Sequence, residues 1–135
     1  MVDVKLTLIA GLGGTIGTML RSVIAQAVPA WIPADGAFPT ATLLVNTVGC
    51  FVLGFAGRTL GSKTSKWSQE IVYFVATGFC GGLTTMSSFV LETLKLLQNK
   101  HYGVAMLYLF VTQAVCFFVG WLGWYAASAD SESGD

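Results

Sequence analysis

The sequence predicts an all-α integral membrane protein with four transmembrane helices. Three observations predict it. Of 135 residues, 54% are hydrophobic and only 10% are charged, too few charges to surface a soluble domain. The apolar residues gather into four runs, each long enough for the roughly 20 residues that cross a hydrocarbon core. Short polar stretches separate the runs, so residues 1–128 read as one transmembrane domain and residues 129–135 as a small, acidic, disordered tail.

The first run covers residues 4–28. It is long and Gly-rich, and no cleavage site leading into a soluble mature protein follows it, so a secretory signal is not expected. Its Gly11-Leu12-Gly13-Gly14-Thr15-Ile16-Gly17 segment fits neither phosphate-loop template, because no Lys-Ser/Thr follows and Ile16 stands where glycine is required. Gly13 and Gly17 form a GxxxG pair, which lets helix backbones approach closely. Pro29, Pro33 and Gly36 then stop the helix.

The second run covers residues 39–60 and carries Asn46, with Thr42 one turn earlier on the same face. An amide in hydrocarbon needs a partner or water. A helix-to-helix hydrogen bond and a pore-lining donor both satisfy that need. A polar stretch follows, in which Ser68 can cap the next helix.

The third run, residues 71–97, is the most informative. It contains Gly78-Phe79-Cys80-Gly81-Gly82-Leu83-Thr84-Thr85-Met86-Ser87-Ser88-Phe89. These glycines and hydroxyl residues at mid-membrane depth make a poor continuous helix. A break there, eased by the freedom of Gly81-Gly82, leaves carbonyls and amides free. Such backbone is tolerated only against protein or a water-lined cavity. Freed carbonyls bind small cations, and half-helix N-termini favour anions. A Gly-rich packing face with hydroxyls bonded back to the helix fits the same residues equally well.

The fourth run covers residues 102–127. Tyr108, Thr112 and Cys116 recur at four-residue spacing and share one face, with Gln113 beside it. Interface packing gives the same stripe. Arg21 and Glu92 fall toward one side of the membrane. Intramembrane charges cost about 2.5–3.5 kcal/mol at the bilayer centre, so a structural Arg21–Glu92 ion pair is expected. Cys50, Cys80 and Cys116 lie inside apolar runs with no CxxC spacing, which points to packing rather than to a metal or a disulfide. His101 is read as a solvated loop residue. Net charge is zero and no basic block exists, so a nucleic-acid partner is not expected. Trp31, Trp67, Tyr102, Trp121, Trp124 and Tyr125 sit near span ends, as an aromatic belt does.

Orientation follows from Lys and Arg. With four spans, Lys5, Arg58, Lys63 and Lys66 share one side, against Arg21, Lys95 and Lys100 on the other. So small a bias allows insertion both ways. Two opposite orientations permit an antiparallel dual-topology dimer, whose interface shelters polar residues that a thin four-helix bundle cannot.

Taken in order, these segments resemble the Fluc (CrcB-type) fluoride channels over nearly the whole chain. Gly13-Gly14-Thr15-Ile16-Gly17 with Arg21 resembles the family's first-helix pattern. Thr42, Asn46, Gly49 and Gly54 resemble the second, and Gly78 to Thr85 with Ser87-Ser88-Phe89 is similar to its most specific motif. The resemblance implies a passive fluoride channel of the bacterial plasma membrane that exports toxic fluoride, and no enzymatic activity. It implies an antiparallel homodimer with two pores and a central structural sodium ion held by the Gly81 and Thr84 carbonyls. Asn46, Met86, Ser87, Ser88, Phe89, Tyr108, Thr112 and Cys116 then fall at pore positions. Met86 stands where the family has the first of two pore phenylalanines, and Cys116 where it has serine. Aromatic edges carry partial positive charge that faces an anion; a thioether offers polarizable bulk instead. The Met86 departure keeps a second arrangement open, pairing with a paralogous, Phe-containing subunit. The runner-up is a small multidrug-type transporter, which needs a titratable carboxylate in its binding site; Glu92 is the sole candidate, late in its span and with Arg21 available. A subunit with no pore is the third reading.

Overall fold

The computed structural model describes residues 3–28, 38–60 and 69–132. The expectations for Pro29, Pro33, Gly36, Trp31, Trp67 and Ser68 lie outside them. Helix α1 spans Val4–Ala27 and α2 spans Thr40–Leu60. The third rod is composite. Helix α3 (Gln69–Val72) runs into a π-helical stretch, Tyr73–Cys80, and then α4 (Gly81–Leu83). Thr84 and Thr85 are extended, and α5 (Met86–Gln98) follows. Helix α6 spans Tyr102–Glu132. Among the described residues, four helical segments are long and apolar enough to cross a membrane: Val4–Ala27, Thr40–Thr59, Gln69–Gln98 and Tyr102–Ala127.

Local chemistry explains the ends. Asp3 caps α1, its carboxylate accepting from the Lys5 and Leu6 amides at 3.0 and 3.3 Å, which satisfies amides that have no intrahelical partner. Thr85 caps α5 through its hydroxyl oxygen, which accepts from the Ser88 amide at 3.1 Å. At the other end of α5, Lys100 adopts φ 62°. The His101 amide closes back on the Leu96 carbonyl at 2.9 Å and the Lys100 amide on Leu97 at 3.0 Å, a Schellman-type stop in a position that usually takes glycine.

Two expectations change here. The tail expected to be disordered from residue 129 continues α6 as far as Glu132; Ala126, Ala127 and Ala129 favour helix, and no Gly or Pro intervenes before Gly134. The expected turn at Gly81-Gly82 is also misplaced. Gly81 has ordinary helical angles, φ −63° and ψ −34°. The extended residues are Thr84 (φ −77°, ψ 156°) and Thr85 (φ −151°, ψ 112°), angles open to any residue.

Gly17, Gly78 and Gly82 serve close approach instead. Helix α1 packs on the π-helical stretch and α4. A Cβ at Gly17 would collide with the Phe79 carbonyl and come 2.8 Å from the Leu83 nitrogen, and one at Gly82 would collide with the Gly14 carbonyl. Helix α2 packs chiefly on α6. A core of Phe38, Phe89, Leu96, Ala105 and Tyr108 lies where α2, α5 and α6 meet. The outer surfaces of α1 and α6 present Leu8, Leu12, Met19, Phe110, Phe117 and Trp121, side chains suited to lipid. Lys5 bonds Glu70 at 2.8 Å, which places the starts of α1 and α3 at one end. Arg58 lies 5.4 Å from the Trp124 ring centre, bringing the end of α2 to the last part of the α6 span.

Candidate functional site

The extended Thr84–Thr85 pair is where the polar groups converge. In an unbroken helix the Gly81 carbonyl would accept from the Thr85 amide, and the Thr84 carbonyl from the Ser88 amide. Both donors go elsewhere. The Thr85 amide donates to Asn46 Oδ1 at 2.8 Å. The Ser88 amide donates to Thr85 Oγ1 at 3.1 Å. The Gly81 and Thr84 carbonyls thus both lose their helical donors. Carbonyl oxygens are hard ligands, the type that alkali and alkaline-earth cations accept.

Asn46 reaches across from α2 and engages Thr85 twice, also donating Nδ2–H to the Thr85 carbonyl at 3.3 Å. Thr85 Oγ1 further shares hydrogen bonds with Ser87 Oγ and Ser88 Oγ, both at 3.1 Å. Thr84 turns its hydroxyl back to the Cys80 carbonyl at 2.9 Å.

Glu92 lies two turns along α5 from Thr85. One carboxylate oxygen accepts from Thr42 Oγ1 and the other from the Tyr108 hydroxyl, each at 2.8 Å. Among the described residues no direct Arg21–Glu92 ion pair forms. Arg21 and Glu92 instead line one cavity of about 310 Å³, together with Ser22, Thr42, Thr85 and Ser88. The depth of the two charges was legible, but their partners depend on helix rotation, and α2 and α6 present hydroxyls to Glu92 first.

The remaining predicted residues divide into two groups. Phe89 is 3% exposed and packs its ring on Tyr108, centroids 5.0 Å apart, while Phe38 meets Tyr108 edge-on at 5.3 Å. Thr112 is 4% exposed, and its buried hydroxyl has no hydrogen-bond partner among the described residues. Cys116 is half-buried one turn further on. Met86, by contrast, is 65% exposed, and Ser87 is exposed with it. The site therefore has a closed wall within the chain and an open wall on its surface. Sequence reasoning missed two of its members. Thr85 is the hub, and its signal was a hydroxyl N-cap three residues before Ser88. Phe38 walls Tyr108; nothing in the run beginning at residue 39 announced it.

Donor chemistry follows from an inventory of protons. The single hydroxyl protons of Tyr108 and Thr42 are committed to Glu92. The Thr112 hydroxyl is unpartnered, and one Nδ2 proton of Asn46 is not used by Thr85. The Ser87, Ser88 and Thr85 hydroxyls share protons among themselves. The site offers neutral donors to an anion, and Arg21 lines the cavity that Thr85 and Ser88 border.

Residues 8–124 match the family described as CrcB-like protein, Camphor Resistance (CrcB). Three similar curated proteins are named fluoride-specific ion channel FluC. The protein of Helicobacter pylori (strain P12) is 39% identical over 118 residues, covering 87% of this chain and 89% of the relative. That of Helicobacter acinonychis (strain Sheeba) is 37% identical over 118 residues, covering 87% and 91%. That of Chlorobium chlorochromatii (strain CaD3) is 39% identical over 117 residues, covering 86% and 87%.

Proposed function

This chain belongs to the CrcB-like protein family, and we propose on that premise that it is a passive fluoride-selective ion channel, in keeping with its four membrane-spanning helices. The observation that carries the reading is similarity across residues 8–124 to proteins named as fluoride channels. The site's chemistry supports it. Fluoride is small and strongly hydrated, so a pore must replace its water with donors. Asn46, Ser87, Ser88 and Thr112 would supply it with neutral N–H and O–H groups. Arg21 at the cavity raises the local anion concentration. The Glu92 charge, which would repel an anion, is covered by Thr42 and Tyr108.

The finer reading is an antiparallel homodimer with two pores, each completed by the partner copy. The nearly even Lys and Arg balance supports dual insertion, and the exposed Met86–Ser87 wall is where a second copy would close the path. Phe89 and Cys116 then lie beside that path and Met86 faces it. Gly81 and Thr84 would hold a sodium ion at mid-membrane through their carbonyls, and their missing helical donors fit that role. A bound sodium would supply a fixed positive charge that lowers the cost of dehydrating fluoride. Met86 in place of a phenylalanine favours one second reading, a heteromer with a Phe-bearing paralogue.

Liposomes loaded with potassium fluoride or potassium chloride test the proposal. The purified chain alone should release fluoride and essentially no chloride. Equal release of both anions overturns the selective channel; fluoride release only after a paralogue is added selects the heteromer.

A further inference from the structure

We propose that Asn46 is a positioning residue, whose side-chain amide holds the third rod open at Thr85 and thereby releases the Gly81 carbonyl for cation binding. The inference rests on the sodium-holding channel reading above and goes beyond Asn46 as a donor to fluoride.

The geometry is reciprocal. Oδ1 takes the Thr85 amide at 2.8 Å and Nδ2 gives to the Thr85 carbonyl at 3.3 Å. One side chain thus offers an extended residue the pairing that a neighbouring strand would. The Thr85 amide is the donor that a continuous helix would deliver to Gly81. With Asn46 removed, that amide would lose its acceptor, and re-forming the helical bond would occupy one lone pair of the Gly81 carbonyl and compete with a cation for it. Buried amides do not stay unpaired, because an unsatisfied one costs about 1–3 kcal/mol.

The seat is built around this contact. Helix α2 lies directly against Thr84: a Cβ at Gly49 would collide with the Thr84 methyl. Val45, beside Asn46, is fully buried. Asn46 therefore sits on a rigid helix pressed onto the extended pair. The Thr84 carbonyl is freed by a different device, the Thr85 hydroxyl capping Ser88, so Asn46 governs one ligand of the pair and the cap governs the other.

The test reads sodium directly. The thermal unfolding midpoint of the purified protein is followed while sodium chloride replaces N-methyl-D-glucamine chloride at constant ionic strength, with fluoride efflux assayed on the same preparations. The wild type should be stabilised by sodium with a saturable midpoint. Asn46→Ala should raise the sodium concentration required by about 10- to 100-fold, the range for outer-shell partners of a metal site. Asn46→Asp keeps the acceptor for the Thr85 amide and should lose less than about tenfold. Should Asn46→Ala fail to fold, Asn46→Ser, too short to reach Thr85, takes its place in the comparison with Asp. If the Ala or Ser variant keeps wild-type sodium dependence while losing fluoride efflux, Asn46 acts only as a pore donor and the inference falls, with the channel reading intact. A wild type that conducts fluoride but ignores sodium also overturns it. A wild type that conducts no fluoride strikes the channel reading instead.

Discussion

Replacing Tyr108 with Phe separates a structural hydroxyl from a conducting one. The Tyr108 ring is fully buried between Phe38 and Phe89, and Phe keeps both ring contacts. The change deletes one hydrogen bond, that from the hydroxyl to Glu92 at 2.8 Å. Hydrogen bonds to charged groups contribute about 1.5–3 kcal/mol, with more at stake when the remaining charge is buried. Glu92 would keep Thr42 and border the cavity, where water can serve the second oxygen. Tyr108→Phe should therefore lose about 1.5–3 kcal/mol of stability, measured by reversible unfolding in mixed micelles. A double-mutant cycle with Glu92→Gln should show the two changes coupled by at least about 0.5 kcal/mol. Fluoride efflux by the folded fraction should fall by less than about tenfold, because a proton committed to Glu92 is not offered to the anion. Unchanged stability together with abolished efflux would refute this reasoning and make Tyr108 a fluoride donor.

Other perturbations give equally distinct outcomes. Thr112→Val removes an unpartnered hydroxyl, so unfolding should show stability changed by no more than about 1 kcal/mol, while liposome efflux should drop sharply if that hydroxyl solvates fluoride. Gly82→Ala collides with the Gly14 backbone and should cost about 1–3 kcal/mol by unfolding. Gly81→Ala meets nothing within 4 Å in the single chain and should be tolerated by it, so lost dimerisation in a crosslinking assay would place Gly81 at the partner surface. Lys100→Gly relieves the left-handed backbone at φ 62° and should stabilise the folded protein by about 1 kcal/mol, read in the same unfolding assay.

The four spans were legible because lipid demands long apolar runs, and that demand leaves a mark in every window of the sequence. The Gly13–Gly17 spacing was legible for a similar reason: close backbone contact excludes side chains. The polar, glycine-bearing segment in the third run was legible as composition but not as geometry. Gly78 and Gly82 are occupied in packing on α1, and the extended residues are two threonines, the second of which caps the next helix. The π-helical stretch at Tyr73–Cys80 left no local signal, since its residues read as ordinary apolar helix. The partners of Glu92 were hidden for another reason. Spacing fixes depth along a helix, but the rotation that aims Thr42 and Tyr108 at one carboxylate is set by packing between helices distant in sequence. The Asn46–Thr85 pairing crosses 39 residues and belongs to the same class. The residues were individually conspicuous; which amide took which acceptor was not.

The central claim is selective fluoride conduction by this chain, and bi-ionic recording across a planar bilayer addresses it most directly. The purified chain alone is placed between solutions carrying opposed fluoride and chloride gradients. The account predicts a passive current that reverses at the fluoride equilibrium potential and shifts by about 59 mV for each tenfold change in the fluoride gradient. The reversal potential should stay fixed when the chloride gradient alone is changed. A reversal potential that follows chloride, or a current that requires a proton gradient, would contradict the account.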